Sequence, residues 1–133
     1  MQRYLLDTNH LSPIVTLDHP IRERIIHQVQ SQDIFGVPVP ALAEMLFGIE
    51  TLPRRNQNLR EWSRFSTIFT YYAIGRIDVE FAVDLRIQLQ RRGRQLAIMD
   101  AMIAAIALRY GMTLLTTDGD FDPIPNLKRE NWL

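Results

Sequence analysis

Four acidic side chains stand where carboxylates could take part in chemistry: Asp7, Glu44, Asp100 and Asp118. Asp7 and Asp118 each follow a short apolar run, which is typical of a buried strand in a parallel sheet. Glu44 and Asp100 lie near the beginning of apolar segments with helical character. Because the carboxyl ends of parallel strands and the starts of the following helices share one edge of such a sheet, we expect the four carboxylates to converge there.

A cluster of four carboxylates is self-repelling and persists only beside a counter-charge. No lysine or histidine lies within the four acidic motifs, so a divalent cation is the expected counter-charge. Carboxylate oxygen ligands suit Mg²⁺ or Mn²⁺. Such an ion can lower the pKa of a bound water and polarise a phosphodiester. The chain has no cysteine and no evident serine–histidine pair. The sequence therefore predicts metal-dependent hydrolysis.

The elements that must position these acids alternate between strands and helices, which indicates βαβ units and a parallel sheet covered on both faces. The predicted fold class is α/β, with a central, mainly parallel sheet of four to five strands flanked by helices. No repeat, low-complexity tract or linker interrupts it, so residues 1–133 are expected to form a single domain. The predicted strands are residues 4–6, 34–37 and 112–115, a weaker candidate at 73–77 and a possible edge strand at 127–130.

Amphipathic helices are predicted to begin near Pro20 and at Pro40, to cover residues 57–71, and to follow Asp78 as an N-cap. The segment after Asp100 is different, because residues 101–108 are all apolar. A helix that is apolar on every side is buried on every side. Asp100 therefore stands at the beginning of a helix that is expected to lie deep in the fold.

Composition excludes several classes of protein. With no cysteine there are no disulfides and no thiolate metal sites, and a cytoplasmic setting is expected. No signal peptide and no membrane-spanning run is evident. Fifteen basic and fifteen acidic residues give a net charge of zero, which argues against a general polyanion binder but leaves room for a local basic patch.

The four acidic motifs, in this order and spacing, resemble those of the PIN-domain ribonucleases. More narrowly, the chain resembles the VapC toxins of type II toxin–antitoxin pairs, and the likeness runs from Tyr4 to Trp132. The motifs are Asp7-Thr8-Asn9, Glu44 within Ala41-Leu42-Ala43-Glu44-Met45-Leu46-Phe47-Gly48-Ile49-Glu50, Asp100 within Met99-Asp100-Ala101-Met102-Ile103-Ala104-Ala105, and Thr116-Thr117-Asp118-Gly119-Asp120-Phe121.

This resemblance implies a three-layer PIN-like fold and a role for each motif residue. Asp7, Glu44 and Asp100 match the acidic positions that hold Mg²⁺ or Mn²⁺, and Asp118 matches a fourth, more variable one. The polar positions that support them are Thr8, Asn9, Thr116 and Asp120. The implied reaction is cleavage of RNA, such as tRNA or ribosomal RNA, by a homodimer that a cognate antitoxin silences by laying its tail over the active site.

Two alternatives stay open: a catalytically inactive PIN-fold binding module, and a metal-dependent nuclease that acts on DNA. Taken singly, each acid could instead be a turn former or a stabilising helix start. His10 is interpreted as incidental, and the aromatic residues Trp62, Phe65 and Phe69 as core or dimer contacts. The arginine groups could bind phosphate, although a solvated face is the simpler interpretation; they are Arg54, Arg55, Arg60 and Arg64, and Arg91, Arg92 and Arg94.

Overall fold

Short apolar runs form a five-stranded sheet at the centre of the computed structural model, which describes all residues from Met1 to Leu133. All neighbouring strands pair in parallel, in the order β3-β2-β1-β4-β5, which confirms the predicted fold class. The strands are β1 (Arg3–Leu6), β2 (Ile34–Pro38), β3 (Thr70–Tyr72), β4 (Thr113–Leu115) and β5 (Arg129–Glu130).

Six helices connect the strands and cover the two faces of the sheet. They are α1 (Thr8–Leu11), α2 (Pro20–Gln30), α3 (Val39–Thr51), α4 (Arg55–Phe65), α5 (Arg76–Arg91) and α6 (Ile98–Tyr110). Short 3-10 turns follow α1, α4 and β4, at Ser12–Val15, Ser66–Ile68 and Gly119–Phe121. No helix combines the length and the apolar character that crossing a membrane would require.

Strand β1 separates two hydrophobic cores because its side chains alternate between the two faces of the sheet. Tyr4 and Leu6 pack into the core that contains α1 to α4, while Leu5 packs into the core formed with α5 and α6. Each cluster has 16 buried residues, so the two faces of the sheet are covered about equally. The result is the three-layer arrangement that the resemblance implied.

Helix α6 is the buried helix that its apolar run predicted. Six of its thirteen residues are buried, among them the unbroken stretch from Ile103 to Ala107. Gly111 ends the helix in the left-handed conformation with a φ of 65°, which glycine adopts without steric cost. Asp100 lies in the first turn of α6, where a carboxylate is favoured by the helix dipole.

Three details of the predicted elements were wrong. The helix predicted over residues 57–71 spans Arg55–Phe65 instead. The third strand is Thr70–Tyr72 and not residues 73–77, because α4 ends at Phe65 and frees the β-branched and aromatic residues that follow it. Asp78 is not an N-cap: α5 begins at Arg76, and the Asp78 carboxylate accepts a hydrogen bond from the backbone N–H of Gly75 at 2.9 Å.

The strand order places β1 and β4 side by side at the point where the order reverses. The chain moves outward from β1 to β2 and β3, and then returns to the other side of β1 with β4. Such a switch point leaves a crevice beyond the carboxyl ends of the two strands. The backbone N–H of Asp7 donates to the carbonyl of Leu115 at 3.0 Å, so the residues that follow both strands are held together.

Candidate metal centre

Asp7 follows β1 in an extended conformation and is the N-cap of α1. Its side chain is only 7% exposed, and Oδ1 accepts a hydrogen bond from the backbone N–H of Thr8 at 2.9 Å. Oδ2 accepts from the hydroxyl of Thr116 at 2.8 Å and from Nδ2 of Asn9 at 3.2 Å. Asp7 therefore does cap a helix, and its second oxygen is held by donors from two neighbouring strand ends.

Glu44 reaches the same edge of the sheet from α3. It is the sixth residue of that helix and is exposed, so it lies in the second turn, slightly beyond the predicted position. The hydroxyl of Thr8 donates to Glu44 Oε2 at 2.8 Å. Thr8 therefore lies between the backbone that carries Asp7 and the carboxylate of Glu44, and the supporting role predicted for it remains a prediction.

Three carboxylates converge most closely: one oxygen each from Asp100, Asp118 and Asp120 lies within 4.8 Å of the others. Asp118 is fixed by its loop, because its backbone N–H donates to Thr116 Oγ1 at 3.0 Å. Its own Oδ1 accepts from the backbone N–H of Asp120 at 2.9 Å. Asp120, which was predicted only to assist, thus belongs to the closest part of the cluster.

The pKa values of Asp100 and Asp7 are raised in this cluster. Burial raises the pKa of Asp100 to about 6, with further contributions from the charges of Asp7, Asp118, Asp120 and Glu44. Burial also raises the pKa of Asp7; its hydrogen bonds from Thr116 and Thr8 oppose that rise, and the charges of Asp118 and Glu44 add to it. None of these five carboxylates takes part in any of the six ion pairs of the protein.

The donor set suits a hard divalent cation. One carboxylate oxygen each from Asp100, Asp118 and Asp120 faces the others, and burial together with the charges of the neighbouring acids raises the pKa of Asp100. Oxygen donors in this number are the ligands of Mg²⁺ and Mn²⁺. The residues present therefore fit such an ion, and Asp100, Asp118 and Asp120 are close enough together to hold it. The ligand roles predicted for Asp7, Glu44, Asp100 and Asp118 remain predictions.

His10 was interpreted as incidental, and the structure gives it a defined place. The residue is fully buried, with Nδ1 at 2.7 Å from Asn9 Oδ1 and Nε2 accepting the backbone N–H of Trp132 at 3.0 Å. Burial lowers the pKa of His10 to about 4, so the imidazole is neutral at physiological pH. No local pattern signals this residue, because its second partner is 122 positions away.

A groove of about 570 Å³ adjoins the acidic cluster at Asp120. Apolar side chains from the end of α5 and the following loop form part of its wall, namely Val83, Ile87 and Leu96. Arg86 and Arg94 also line it, and neither is paired with a carboxylate. The nearby Arg91 and Arg92 are unpaired as well, so this end of α5 carries uncompensated positive charge beside a negative centre.

Comparison with known proteins gives a consistent family match. The model of the family described as PIN domain matches residues 4–127. The chain is 24% identical over 130 residues to Ribonuclease VapC2 of Rickettsia felis, and the alignment covers 97% of both chains.

Solved structures with the same fold include VapBC2 from Rickettsia felis bound to a promoter DNA fragment, with a TM-score of 0.85, 22% identity and coverage of 99% of this chain and all of that one. DNA-bound VapBC from Salmonella typhimurium gives a TM-score of 0.83 at 24% identity over the whole of both chains. VapBC-5 from Mycobacterium tuberculosis, of the VapBC family of toxin–antitoxin systems, gives 0.66 at 21% identity over 98% of each chain. At these identities the likeness to solved structures concerns the fold.

Proposed function

The chain belongs to the PIN domain family, and from that premise we propose that it is a Mg²⁺- or Mn²⁺-dependent endoribonuclease and the toxin of a toxin–antitoxin pair. The observation that carries the proposal is a cluster of five acidic side chains, none of which forms an ion pair with a basic side chain. The ribonuclease named among the relatives, at 24% identity, supports the choice of reaction.

In this proposal Asp100, Asp118 and Asp120 hold the divalent ion, and Asp7 and Glu44 complete the site. When bound, the ion supplies an acidified water and charge stabilisation at the phosphodiester. The protein contributes the fixed geometry. Thr116 and Thr8 hold Asp7 and Glu44 by hydrogen bonds of 2.8 Å, so these carboxylates need little reorganisation when an ion enters.

The groove beside Asp120 supports RNA as the substrate. A phosphate chain approaching five carboxylates needs cations nearby, and Arg86 and Arg94 are free of carboxylate partners along the wall of this groove. The apolar side chains Val83, Ile87 and Leu96 offer a surface on which an unstacked base can lie. We propose that nucleotides flanking the scissile phosphate occupy this groove.

The decisive experiment compares cleavage of a mixed RNA substrate by the wild type, Asp7→Asn and Asp100→Asn, with Mg²⁺ and with EDTA. We expect cleavage by the wild type with Mg²⁺ only, and a loss of at least about 100-fold in both variants. Asp84→Asn is the matched control, because Asp84 is an exposed aspartate of α5 outside the acidic cluster. Unchanged cleavage in both site variants would reject the proposed centre.

Cleavage and metal-binding measurements on the same protein distinguish the proposed function from the two alternatives. A catalytically inactive binding module would cleave nothing, and a degenerate pocket would also take up no Mn²⁺ in a calorimetric titration. A DNA-specific nuclease would cleave single-stranded DNA in the presence of Mg²⁺ and leave RNA of the same sequence intact. Cleavage of RNA but not of DNA supports the proposal as stated.

The groove is tested by RNA binding in the Asp100→Asn background, where cleavage does not interfere. We expect Arg94→Ala to weaken binding about tenfold and to reduce the dependence of affinity on salt by about one phosphate contact. Arg60→Ala is the control, because Arg60 is also exposed and free of a carboxylate partner but does not line the groove. Equal losses for both variants would mean that the groove is not the binding site.

We further propose that the protein forms a homodimer and binds a cognate antitoxin. Phe47, Ile77 and Phe81 are 71%, 62% and 46% exposed, and large exposed apolar side chains on helices are typical of surfaces that a partner covers. Sedimentation should therefore give a dimer for the wild type and a monomer for Ile77→Glu. A wild type that sediments as a monomer at micromolar concentration would refute the dimer.

A further inference from the structure

A buried histidine connects the acidic centre to the segment that follows β5. The backbone N–H of Trp132 donates to His10 Nε2 at 3.0 Å, and His10 Nδ1 lies 2.7 Å from Asn9 Oδ1. Asn9 Nδ2 in turn donates to Asp7 Oδ2 at 3.2 Å. Four residues, of which Trp132 is far in sequence from the other three, therefore form one continuous series of hydrogen bonds that ends on a carboxylate of the candidate metal centre.

The direction of each hydrogen bond in this series is determined. A backbone N–H can only donate, so His10 Nε2 must be unprotonated. Because burial keeps the imidazole neutral, its single proton lies on Nδ1. Nδ1–H then donates to the nearest acceptor, which is Oδ1 of Asn9. The series therefore fixes the tautomer of His10 without reference to the metal centre.

The same directions fix the amide of Asn9. Its Oδ1 accepts from His10 Nδ1 and also from the backbone N–H of Thr117 at 3.2 Å. The NH₂ group must therefore point the other way, toward Asp7 Oδ2 and Thr116 Oγ1 at 3.2 and 3.4 Å. An amide rotated by 180° would instead place an oxygen against the oxygen of a carboxylate, which is repulsive.

The other end of the series is held by aromatic packing. The indole of Trp132 lies against the rings of Tyr4 and Phe35, with centroids 4.9 and 5.8 Å away, and the guanidinium of Arg24 lies 3.6 Å from its ring centroid. Tyr4 belongs to β1, the strand that Asp7 directly follows. The same strand therefore carries a ring that packs against Trp132 and leads into the Asp7 carboxylate.

We propose that His10 is a positioning residue: it holds the Asn9 amide so that the NH₂ group, and not the oxygen, faces Asp7. The inference rests on the proposed function, because the purpose of the arrangement is a carboxylate that is held ready for a cation. His10 touches neither substrate nor ion in this proposal. An apolar side chain of similar volume would fill the space but would leave the N–H of Trp132 without an acceptor and Asn9 with one donor fewer.

Two substitutions separate the two hydrogen bonds of the imidazole. In His10→Asn the side-chain NH₂ takes the place of Nδ1 and keeps the donor to Asn9, while the bond to Trp132 is lost. In His10→Gln the side-chain oxygen takes the place of Nε2 and keeps the acceptor for Trp132, while the donor to Asn9 is lost. Each variant removes one buried hydrogen bond, so both should melt at lower temperature than the wild type.

If His10 had a purely structural role, the two variants would have similar affinities for Mn²⁺. The distinguishing measurement is therefore Mn²⁺ affinity, determined by calorimetry. We expect His10→Gln to bind Mn²⁺ about tenfold more weakly than the wild type, and His10→Asn to stay within about threefold of it. In RNA cleavage, kcat should fall for His10→Gln while KM stays constant, because the groove is not altered. In an Asn9→Ala background, His10→Gln should have no further effect on affinity, since the residue through which it acts is gone.

The outcomes distinguish this inference from the proposed function. Absence of Mn²⁺ uptake by the wild type would overturn the proposed function and the role of His10 together. Uptake by the wild type with equal affinities for His10→Gln and His10→Asn would overturn the role of His10 alone. A further loss for His10→Gln in the Asn9→Ala background would also overturn it, because the effect would then not pass through Asn9.

Discussion

Asp7 and Asp78 are both buried aspartates near the beginning of a helix, with exposed fractions of 7% and 1%, yet they lie in opposite surroundings. Asp78 is paired with Arg109, whose Nη1 lies 3.2 and 3.3 Å from the two carboxylate oxygens, and it also accepts the N–H of Gly75. Asp7 receives only neutral donors and has acidic neighbours, Asp118 and Glu44 among them.

This difference in surroundings distinguishes a carboxylate that stabilises the fold, Asp78, from one that is available to bind a cation, Asp7. Glu61 belongs with Asp78, because its hydrogen bond from Arg22 at 2.6 Å lowers its pKa. Asp100 belongs with Asp7, and burial and repulsion raise the pKa of both. A protein retains uncompensated buried charge where function requires it, at the expense of stability.

The largest expected effect is on catalysis. Asp7→Asn should reduce RNA cleavage at least about 100-fold and yet leave the melting temperature of the metal-free protein unchanged or higher, because the substitution removes a charge that burial and the acidic neighbours disfavour. Cleavage assays and thermal melts in EDTA would measure both quantities. A clear fall in melting temperature would show that Asp7 stabilises the fold as Asp78 does.

The opposite pattern is expected for Asp78→Asn. Loss of the ion pair with Arg109 and of a charged acceptor in the first turn of α5 should lower the free energy of unfolding by about 2 kcal/mol. Cleavage per folded molecule should not change, since Asp78 lies outside the acidic cluster. Urea titration together with a cleavage assay would test this, and an unaltered unfolding midpoint would contradict it.

The dependence of protein stability on pH should further distinguish the acidic cluster from the ion-paired carboxylates. The folded pKa of Asp100, about 6, exceeds its ordinary value of 3.8, so its contribution to stability is full below the ordinary value and is lost as the pH rises through about 6. His10 acts in the opposite sense, because its folded pKa is about 4 against an ordinary value of 6.5. The informative quantity is therefore the difference in stability between the wild type and Asp100→Asn.

In EDTA, the wild type should gain about 1 kcal/mol relative to Asp100→Asn as the pH is lowered from about 7.5 to about 5. Urea titrations at the two pH values measure that difference. A constant difference would mean that Asp100 titrates as an ordinary exposed aspartate. Saturating Mn²⁺ should reverse the order of stability at about pH 7.5, since only the wild type retains the full set of ligands.

The smallest effect is expected at the surface. Arg76 and Glu80 form an ion pair at 2.8 Å on α5, but their side chains are 91% and 61% exposed. Glu80→Gln should therefore change the free energy of unfolding by less than about 0.5 kcal/mol. A larger loss in the same urea assay would mean that exposed pairs matter in this fold, and the contrast between Asp7 and Asp78 would then be less informative.

Most of the fold could be predicted from local sequence patterns. The buried helix α6 and the strands β1, β2 and β4 come from uninterrupted apolar runs, whose meaning does not depend on distant residues. Strand β3 was misplaced because the apolar spacing of α4 continues into Phe69, which packs in the core after the helix has ended. A periodic pattern does not distinguish continued helix from a strand that buries the next aromatic residue.

The candidate site, too, could be predicted only where local sequence patterns determine it. The convergence of Asp100 with Asp118 follows from strand ends and helix starts, and Asp120 joins them because the turn after β4 brings its exposed carboxylate close to theirs. The role of His10 could not be foreseen, because it depends on a backbone N–H that only the completed sheet brings near. A polar residue whose hydrogen-bond partner is remote in sequence produces no periodic pattern from which its role could be predicted.

The adjacency of β1 and β4 has a consequence for the synthesis of this protein. Strand β1 ends at Leu6 and its partner β4 begins only at Thr113. Asp7 therefore leaves the ribosome long before the acidic residues that follow β4. A nascent polypeptide that lacks β4 has no Asp118 or Asp120 to set beside Asp7. If the proposed activity is correct, the cell that makes this enzyme is not exposed to it until β4 and the loop that follows it have been synthesised.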